Sequence, residues 1–456
     1  MSLRRLAPWL LFIAVTIIYL LFPTRVYYWD GITFAQTIES VPRLQPSLVH
    51  PNHLIYNFVG YIFFRLLRLF SPEIRALTAL QILNILLSAI CARIFFAILV
   101  NTLRSLYLAV CLTLLFAFSA TWWKFSTDAD AYIPSVLFLL ISFYLVLPGQ
   151  KARPLLLGVT FFISMAFHQL AIFMWPVLAL GVYLQNGELS IKGRTLNAFY
   201  FTAVSAVLII GGYFSLFYLA SGNMDLRRLL SWAASYSPDA DTGFNLWSNI
   251  RYSLRGHVRL FFGGRFSLLK GLLSLPVIVL LVALVGTVVF LLFSAFRSMA
   301  VAILTWRIPK LRLETTQKSV LLLALLWTFV YIVFLFFWLP QNTFYRLFYL
   351  PGLILLLGLL RASFPNRTSK PRLLATFVIA LALANFLFLM YPFSVLQLPR
   401  DTQPRDAKGN VHIPQYSTLG AEHLSEHAIQ RGHSNIVLAL GFDPRHPHQL
   451  SHQQYR

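Results

Sequence analysis

Hydrophobic positions in this chain do not alternate; they come in long runs. Apolar stretches, most of them about twenty residues long and so able as helices to cross the hydrocarbon core of a bilayer, recur from the N-terminus to residue 396. They fall at 6–22, 77–99, 105–122, 131–147, 196–219, 272–296, 319–339, 349–360 and 373–396. The first follows Arg4-Arg5 without a small-residue cleavage site behind it, so it reads as a retained span. Two stretches break the pattern. In 52–70 the polar positions His53, Asn57, Gly60, Arg65 and Arg68 recur at helical spacing, which predicts an amphipathic helix on the membrane interface. The stretch 154–184 is too long for one untilted span and is interrupted by His168-Gln169, which predicts two short membrane helices meeting at that pair. The expected fold is an all-α polytopic membrane domain, 1–396, a bundle of about eleven transmembrane helices with interfacial helices in its first outer loop. A short polar, His-rich tail follows at 397–456, with 422–430 helical and 436–440 a strand, too small for a core of its own.

Composition agrees with the runs. Of 456 residues 58% are hydrophobic and 11% charged, whereas soluble domains average roughly 25% charged. Cys91 and Cys111 both lie in apolar runs, which excludes a disulfide framework and a cysteine-based zinc site. The formal charge of +22 suggests a polyanionic partner, but no Lys/Arg-rich run or recognition motif supports nucleic acid. Its placement is more informative. Segments assigned to the cytoplasm carry 17 cations against two acids, Glu188 and Glu314, so +15 of the charge faces inward and +7 outward. By the positive-inside rule the N-terminus is cytoplasmic, and the outer segments are 23–76, 123–130, 220–270 and the tail. Thirteen of the 15 acids then lie outside.

Those acids carry the candidate chemistry. Asp30, among the aromatics of Tyr27-Tyr28-Trp29-Asp30, lies just beyond the first span, where a partly desolvated carboxylate suits a general base. It equally suits an N-cap for a helix over 31–40. His50-Pro51-Asn52-His53 opens the amphipathic helix and places its imidazoles on the same outer surface, although proline at a helix start is ordinary punctuation. Asp128 and Asp130, ahead of Tyr132, are a second acidic site that could orient a sugar or hold a divalent cation, or could cap the next span. His168 lies at membrane depth, where a polar side chain faces a cavity or another polar group. Arg346, in the aromatic-rich stretch 342–351, suits a lipid-linked phosphate through its bidentate donor fork, or an interfacial anchor. In 220–270, Arg251, Arg255 and Arg259 recur at i, i+4 and i+8 beside Ile250, Leu254, Val258 and Phe261, which predicts a basic helix on anionic membrane lipids. The seven histidines of the tail have no tight metal-ligand spacing.

Taken in order, these elements resemble the GT-C class of membrane glycosyltransferases, most closely the bacterial relatives of protein O-mannosyltransferases. The resemblance rests on Asp30 beyond the first span, His50-Pro51 opening a juxtamembrane helix, Asp130-Ala131-Tyr132 after the third span, and Phe167-His168-Gln169-Leu170 between short helices. It covers most of 6–360, in motifs of a few residues each. It implies an inner-membrane enzyme that inverts the anomeric centre while transferring a sugar from a polyprenyl-phosphate donor on the periplasmic side. Carried over, Asp30 is the base, Asp128 or Asp130 orients substrate or a possible divalent cation, and Arg346 binds the donor phosphate. His50, His53, Tyr132, His168 and Arg255 complete the expected substrate-binding set. One feature departs from the family: many members carry an adjacent Asp-Glu pair in this loop, whereas Asp30 is followed by Gly31 and the next acid is Glu39. That departure bears on the subfamily and hence on the acceptor.

Two other readings stay open. A transporter or flippase for polyprenyl-linked glycans would line a path with the same polar residues, but no paired repeat halves are evident. An O-antigen polymerase or ligase would shift the chemistry to Arg251, Arg255 and His257 in the large outer loop.

Overall fold

The computed structural model describes residues 3–185, 189–235, 244–264, 313–363 and 371–394, with a few positions between 275 and 286. Among the described residues every regular element is a helix. Among the described residues five helical stretches are long and apolar enough to cross a membrane: α1 (Leu3–Leu21), α4 (Ala76–Leu103), α10 (Ile191–Ser221), α13 (Thr315–Trp338) and Leu373–Met390, which takes in most of α15 (Pro371–Asn385) and the turn after it. A sixth arises if α5 (Leu106–Ala117) and α6 (Ala120–Ser126), bent by 65° at their junction, act as one span. The run at 105–122 is therefore not a straight helix: the chain turns at Phe118-Ser119, and α6 leads the chain into the 127–131 loop. The spans expected at 131–147 and 349–360 are α7 (Tyr132–Leu145) and α14 (Leu350–Ala362), of 14 and 13 residues. At 1.5 Å per residue these cover about 20 Å, short of the roughly 30 Å hydrocarbon core. The run at 272–296 and the tail at 397–456 lie outside the described residues.

The helix α4 organises the bundle. It packs against α1, α5, α7 and α14 and against the two helices of the first long loop, α2 (Trp29–Ser40) and α3 (Tyr56–Arg68). Within its apolar length Gln81, Asn84 and Ser88, at i, i+3 and i+7, are buried. Their side chains bind the ends of neighbouring elements, as a buried polar group requires. Cys91 and Cys111 are buried and unpaired in the core.

The helix α3 corrects the expected amphipathic face. Asn57 and Gly60 share their buried face with Tyr61 and Phe64, while Ile62, Arg65, Leu66 and Arg68 are exposed. A Cβ at Gly60 would lie 2.6 Å from Leu80 and 2.8 Å from Ile38, so the small residue is what lets α3 close on α2 and α4. The polar stripe is a packing seam, and the lipid- or water-facing side is the arginine-leucine one.

The stretch 154–184 divides as expected. Helix α8 (Pro154–Phe167) ends at His168, a 3-10 turn spans Gln169–Met174, and α9 (Trp175–Gln185) continues. The loop 220–270 contains two amphipathic helices, α11 (Leu226–Ala234) and α12 (Leu246–Phe261). Arg251, Arg255 and Arg259 are exposed on α12 together with Trp247, Leu254 and Val258. The opposite side is fixed: Asn249 donates to Phe336 O at 2.9 Å, and Thr121 Oγ1 donates to Arg259 O at 3.0 Å.

Candidate active site

Two loops meet where the first long helix ends. The segment before α2 and the 127–131 loop are joined through α4: Gln81 Nε2 donates to Thr24 O and Thr127 O, both at 2.8 Å. Asn84 Nδ2 donates to Asp128 O at 2.8 Å and Asp130 O at 2.7 Å. Tyr56 OH adds a bond to Ala129 O at 2.8 Å, so all three carbonyls 128–130 are held by side chains. On this base rest the three acids named from sequence, and the structure gives them three different environments.

Asp128 is committed. Its Oδ2 accepts from Lys124 Nζ at 2.6 Å and from the Tyr28 amide at 2.9 Å, and its Oδ1 accepts from the Ala129 amide at 2.8 Å. Tyr28 heads α2, so this carboxylate from another segment binds the amide at the start of the helix that carries Asp30.

Asp30 caps nothing. The helix starts at Trp29, which places Asp30 inside the first turn, and no side chain makes the N-cap bond. No hydrogen bond to its carboxylate is found among the described residues, and it remains partly exposed. Burial among the surrounding aromatics, reinforced by the nearby Asp128 charge, pushes its carboxyl up to about 6. Asp130 is buried and does not cap α7 either. Its Oδ1 accepts from the Ala131 amide at 2.7 Å, and its Oδ2 has no hydrogen-bond partner among the described residues. Desolvation, then the charges of Asp30 and Asp128, hold its carboxyl well above the usual range. Neither acid plays the structural part that sequence alone left open to it.

The close approach of these acids depends on Gly31. A Cβ there would meet the Ala129 backbone, its carbonyl carbon at 3.1 Å and oxygen at 3.2 Å. A side chain at position 31, such as the Glu of an Asp-Glu pair, would press on the Ala129 backbone, which would have to give by a few tenths of an ångström in a loop that Tyr56 and Asn84 hold. Gly31→Ala is expected to destabilise by about 1–3 kcal/mol through overpacking, and Gly31→Val by more. Thermal unfolding in detergent reads this, and an unchanged midpoint in Gly31→Val would show that the loop yields. Glu39, the next acid, caps the far end of the same region: it pairs with Arg75 at 2.7 Å and accepts from the Ala76 amide at 2.7 Å.

An aromatic wall stands over the acids. Phe344 lies 4.8 Å from Tyr28 and 5.3 Å from Tyr132 between ring centres, and Tyr345 lies 5.9 Å from Tyr132 and stacks on Trp338 at 5.5 Å. Tyr345 is half-buried, and its phenol is raised by burial and then by the charges of Asp30 and Asp130. Tyr345 also touches the histidines, with His168 at 5.6 Å, so it joins the two groups.

The histidines form one cluster. His53 lies 5.3 Å from His50 and 4.7 Å from His168 between ring centres. His53 Nδ1 bonds Phe167 O at 3.0 Å, and His168 Nδ1 accepts from the Leu170 amide at 3.1 Å. Both rings are buried, and they lock the 50–55 turn to the break between α8 and α9. Burial pushes His50 down to about 4, so it is neutral at physiological pH.

Arg346 stands apart from the acids and is completely buried. Its Nη1 donates to Tyr349 OH at 2.7 Å and its Nη2 to Pro340 O at 2.7 Å, while its Nε has no partner among the described residues. His257 completes the group, 3.0 Å from Tyr349 OH. Gly256 of α12 covers the guanidinium so closely that a Cβ would fall 2.5–2.8 Å from it. No carboxylate pairs with it among the described residues. Arg346 is covered by α12, whereas Arg255 is on the outer face of the same helix.

The donor set does not suit a divalent cation. Asp128 already holds an ammonium at 2.6 Å, and among the described residues no three His, Cys, Asp or Glu side chains converge as metal ligands. A separate cavity of about 240 Å³, lined by Asn101, Thr102, Gln150 and Gln317, belongs to the other end of α4 and not to the acids.

Lys124, Tyr345, Gln81 and Asn84 belong to the site although sequence reasoning did not single them out. The i, i+4 spacing of Lys124 and Asp128, and the i, i+3, i+7 polar stripe inside the apolar run of α4, were the available signals. In comparisons with protein-family models, curated proteins and solved structures, nothing matches this chain.

Proposed function

We propose that this chain is a GT-C-like membrane glycosyltransferase that moves a sugar from a polyprenyl-phosphate donor to an acceptor hydroxyl, with Asp30 as general base. The observation that carries the reading is Asp30 itself: a partly exposed carboxylate with no hydrogen bond from the described residues, beside a buried second acid and under an aromatic wall. A lipid phosphate leaves without needing a proton, so the chemistry reduces to accepting the acceptor's proton and stabilising phosphate charge. Asp30 serves the first need. For the second, Arg346 is the candidate with unused donor capacity, and it reaches a ligand only if α12 shifts off it. The reading places about eleven spans in a bacterial inner membrane, the N-terminus in the cytoplasm, and both acids on the periplasmic side.

Reconstitution with polyprenyl-phosphate sugars and a panel of hydroxyl acceptors tests it: transfer with inversion supports the reading, and absence of transfer with every donor in a correctly oriented preparation overturns it. Because the base works only when ionised, and its carboxyl is pushed up to about 6, the rate is expected to fall as pH drops through 6 rather than through 4. A pH profile with its acid limb near 4 would remove Asp30 from the role.

The exposed row Arg251, Arg255 and Arg259 favours a second reading, a polymerase or ligase working on an anionic glycan at α12. Comparing Arg255→Ala with Asp30→Asn separates the two: loss confined to the arginine variant, with Asp30→Asn as active as wild type, belongs to the second reading.

A further inference from the structure

The structure assigns to the buried Lys124–Asp128 ion pair a role as the positioning and charge-setting element for the Asp30 carboxylate, which makes Lys124 a functional residue of the site. The inference deepens the proposed function, because it rests on reading Asp30 as the base.

A lysine at the end of a membrane helix ordinarily extends its ammonium to water. Lys124 does the opposite. Its side chain is 16% exposed, its ammonium ends on the fully buried Asp128 at 2.6 Å, and it lies 4.4 Å from the Phe125 ring centre and 5.7 Å from that of Tyr28. Asp128 passes the restraint on: the same Oδ2 binds the Tyr28 amide at 2.9 Å, two residues before Asp30. The rise of α2 from this point, and hence where Asp30 projects, is set by a carboxylate that, among the described residues, Lys124 alone neutralises.

The charges point the same way. The titratable groups around Asp30 are Asp128, Asp130, Tyr28, Tyr132 and Tyr345; among the described residues Lys124 is the cation paired with Asp128, and its charge also acts on Asp130. Asp128 raises the Asp30 carboxyl, second only to burial. Removing Lys124 exposes Asp30 to the uncompensated Asp128 charge; removing both members takes that charge away. A lysine that merely anchored α6 would move neither quantity.

The test needs no sugar transfer. Carbodiimides modify protonated carboxyls, so the rate of modification at Asp30, followed by peptide mass spectrometry against pH, gives its inflection directly. Full-length wild type is expected to show it near 6. Lys124→Gln is expected to raise it by about one pH unit, Lys124→Arg to leave it in place, and the double variant Lys124→Gln/Asp128→Asn to lower it below wild type. The double variant keeps a neutral hydrogen-bonded pair, so it reports even if the single glutamine variant does not fold. An identical inflection in wild type and the double variant overturns the proposal, as does an unmoved inflection in a folded Lys124→Gln. A wild type that labels near 6 but transfers no sugar would instead defeat the enzymatic reading and leave the ion pair's role standing.

Discussion

Asp30→Asn is expected to lower sugar transfer by about 10²–10⁴-fold, the usual contribution of a positioned general base, while leaving the fold intact. Asparagine matches aspartate in shape, and the described residues make no hydrogen bond to the Asp30 carboxylate, so no structural contact is lost. Stability should even change in the opposite direction. The carboxyl is pushed up to about 6 from 3.8, so the folded protein holds the proton more tightly than the unfolded chain. For such a group the stabilisation present at low pH is lost as pH rises through that window, and above 6 the ionised form is a net cost. The asparagine variant has no such group. It should melt at the same temperature as wild type below about pH 4 and somewhat higher at pH 8. Initial rates and melting temperatures at both pH values check the two halves together. A variant within twofold of the wild-type rate at pH 7 would show that Asp30 is not the base; one that loses both activity and stability would show that it is structural.

How much of this was legible beforehand differs between fold and site, for physical reasons. Long apolar runs mark α1, α4, α10 and α13 because a helix that crosses lipid must satisfy its backbone internally and show apolar side chains along its length. The same rule says less about α7, α8 and α14, whose 13 or 14 residues pack largely against other helices while Leu155, Leu156 and Leu357 stay exposed. The bend at Ser119 was equally hidden, since an apolar run does not reveal its direction. In the site, Asp30 and Asp130 were legible as acids at the mouths of apolar runs. Whether they capped helices was not, because the answer depended on Asp128 reaching the Tyr28 amide from a segment 100 residues away. Arg346 shows the limit most clearly: flanked by aromatics it read as a phosphate binder or an interfacial anchor, and its burial depends on contacts invisible in the local sequence, such as that with Gly256, 90 positions earlier. The polar stripe of α3 misled for the opposite reason, since small polar residues serve close helix packing as readily as they serve water.

Asn84→Ala is expected to cost roughly 2–6 kcal/mol of stability, the sum of two buried carbonyls left without a donor at about 1–3 kcal/mol each. Asn84 is fully buried in α4, and its single amide group serves both Asp128 O and Asp130 O. The second bond replaces one the backbone cannot make. The residue four positions after Asp130 is Pro134, inside the first turn of α7, and proline has no N–H to donate. Water cannot take the place of the amide cheaply, because Thr127, Asp128, Ala129 and Asp130 are all buried. Asn84→Leu restores the lost volume without restoring a donor, so it should be no more stable than the alanine variant if the bonds matter and clearly more stable if packing does. Activity should fall with stability in both, because the freed loop carries Asp130 and forms the surface on which Gly31 brings Asp30 to rest. Either variant within about 0.5 kcal/mol of wild type, the range of an ordinary surface substitution, would mean that the 128–130 carbonyls find other donors and that α4 is not the frame of the site.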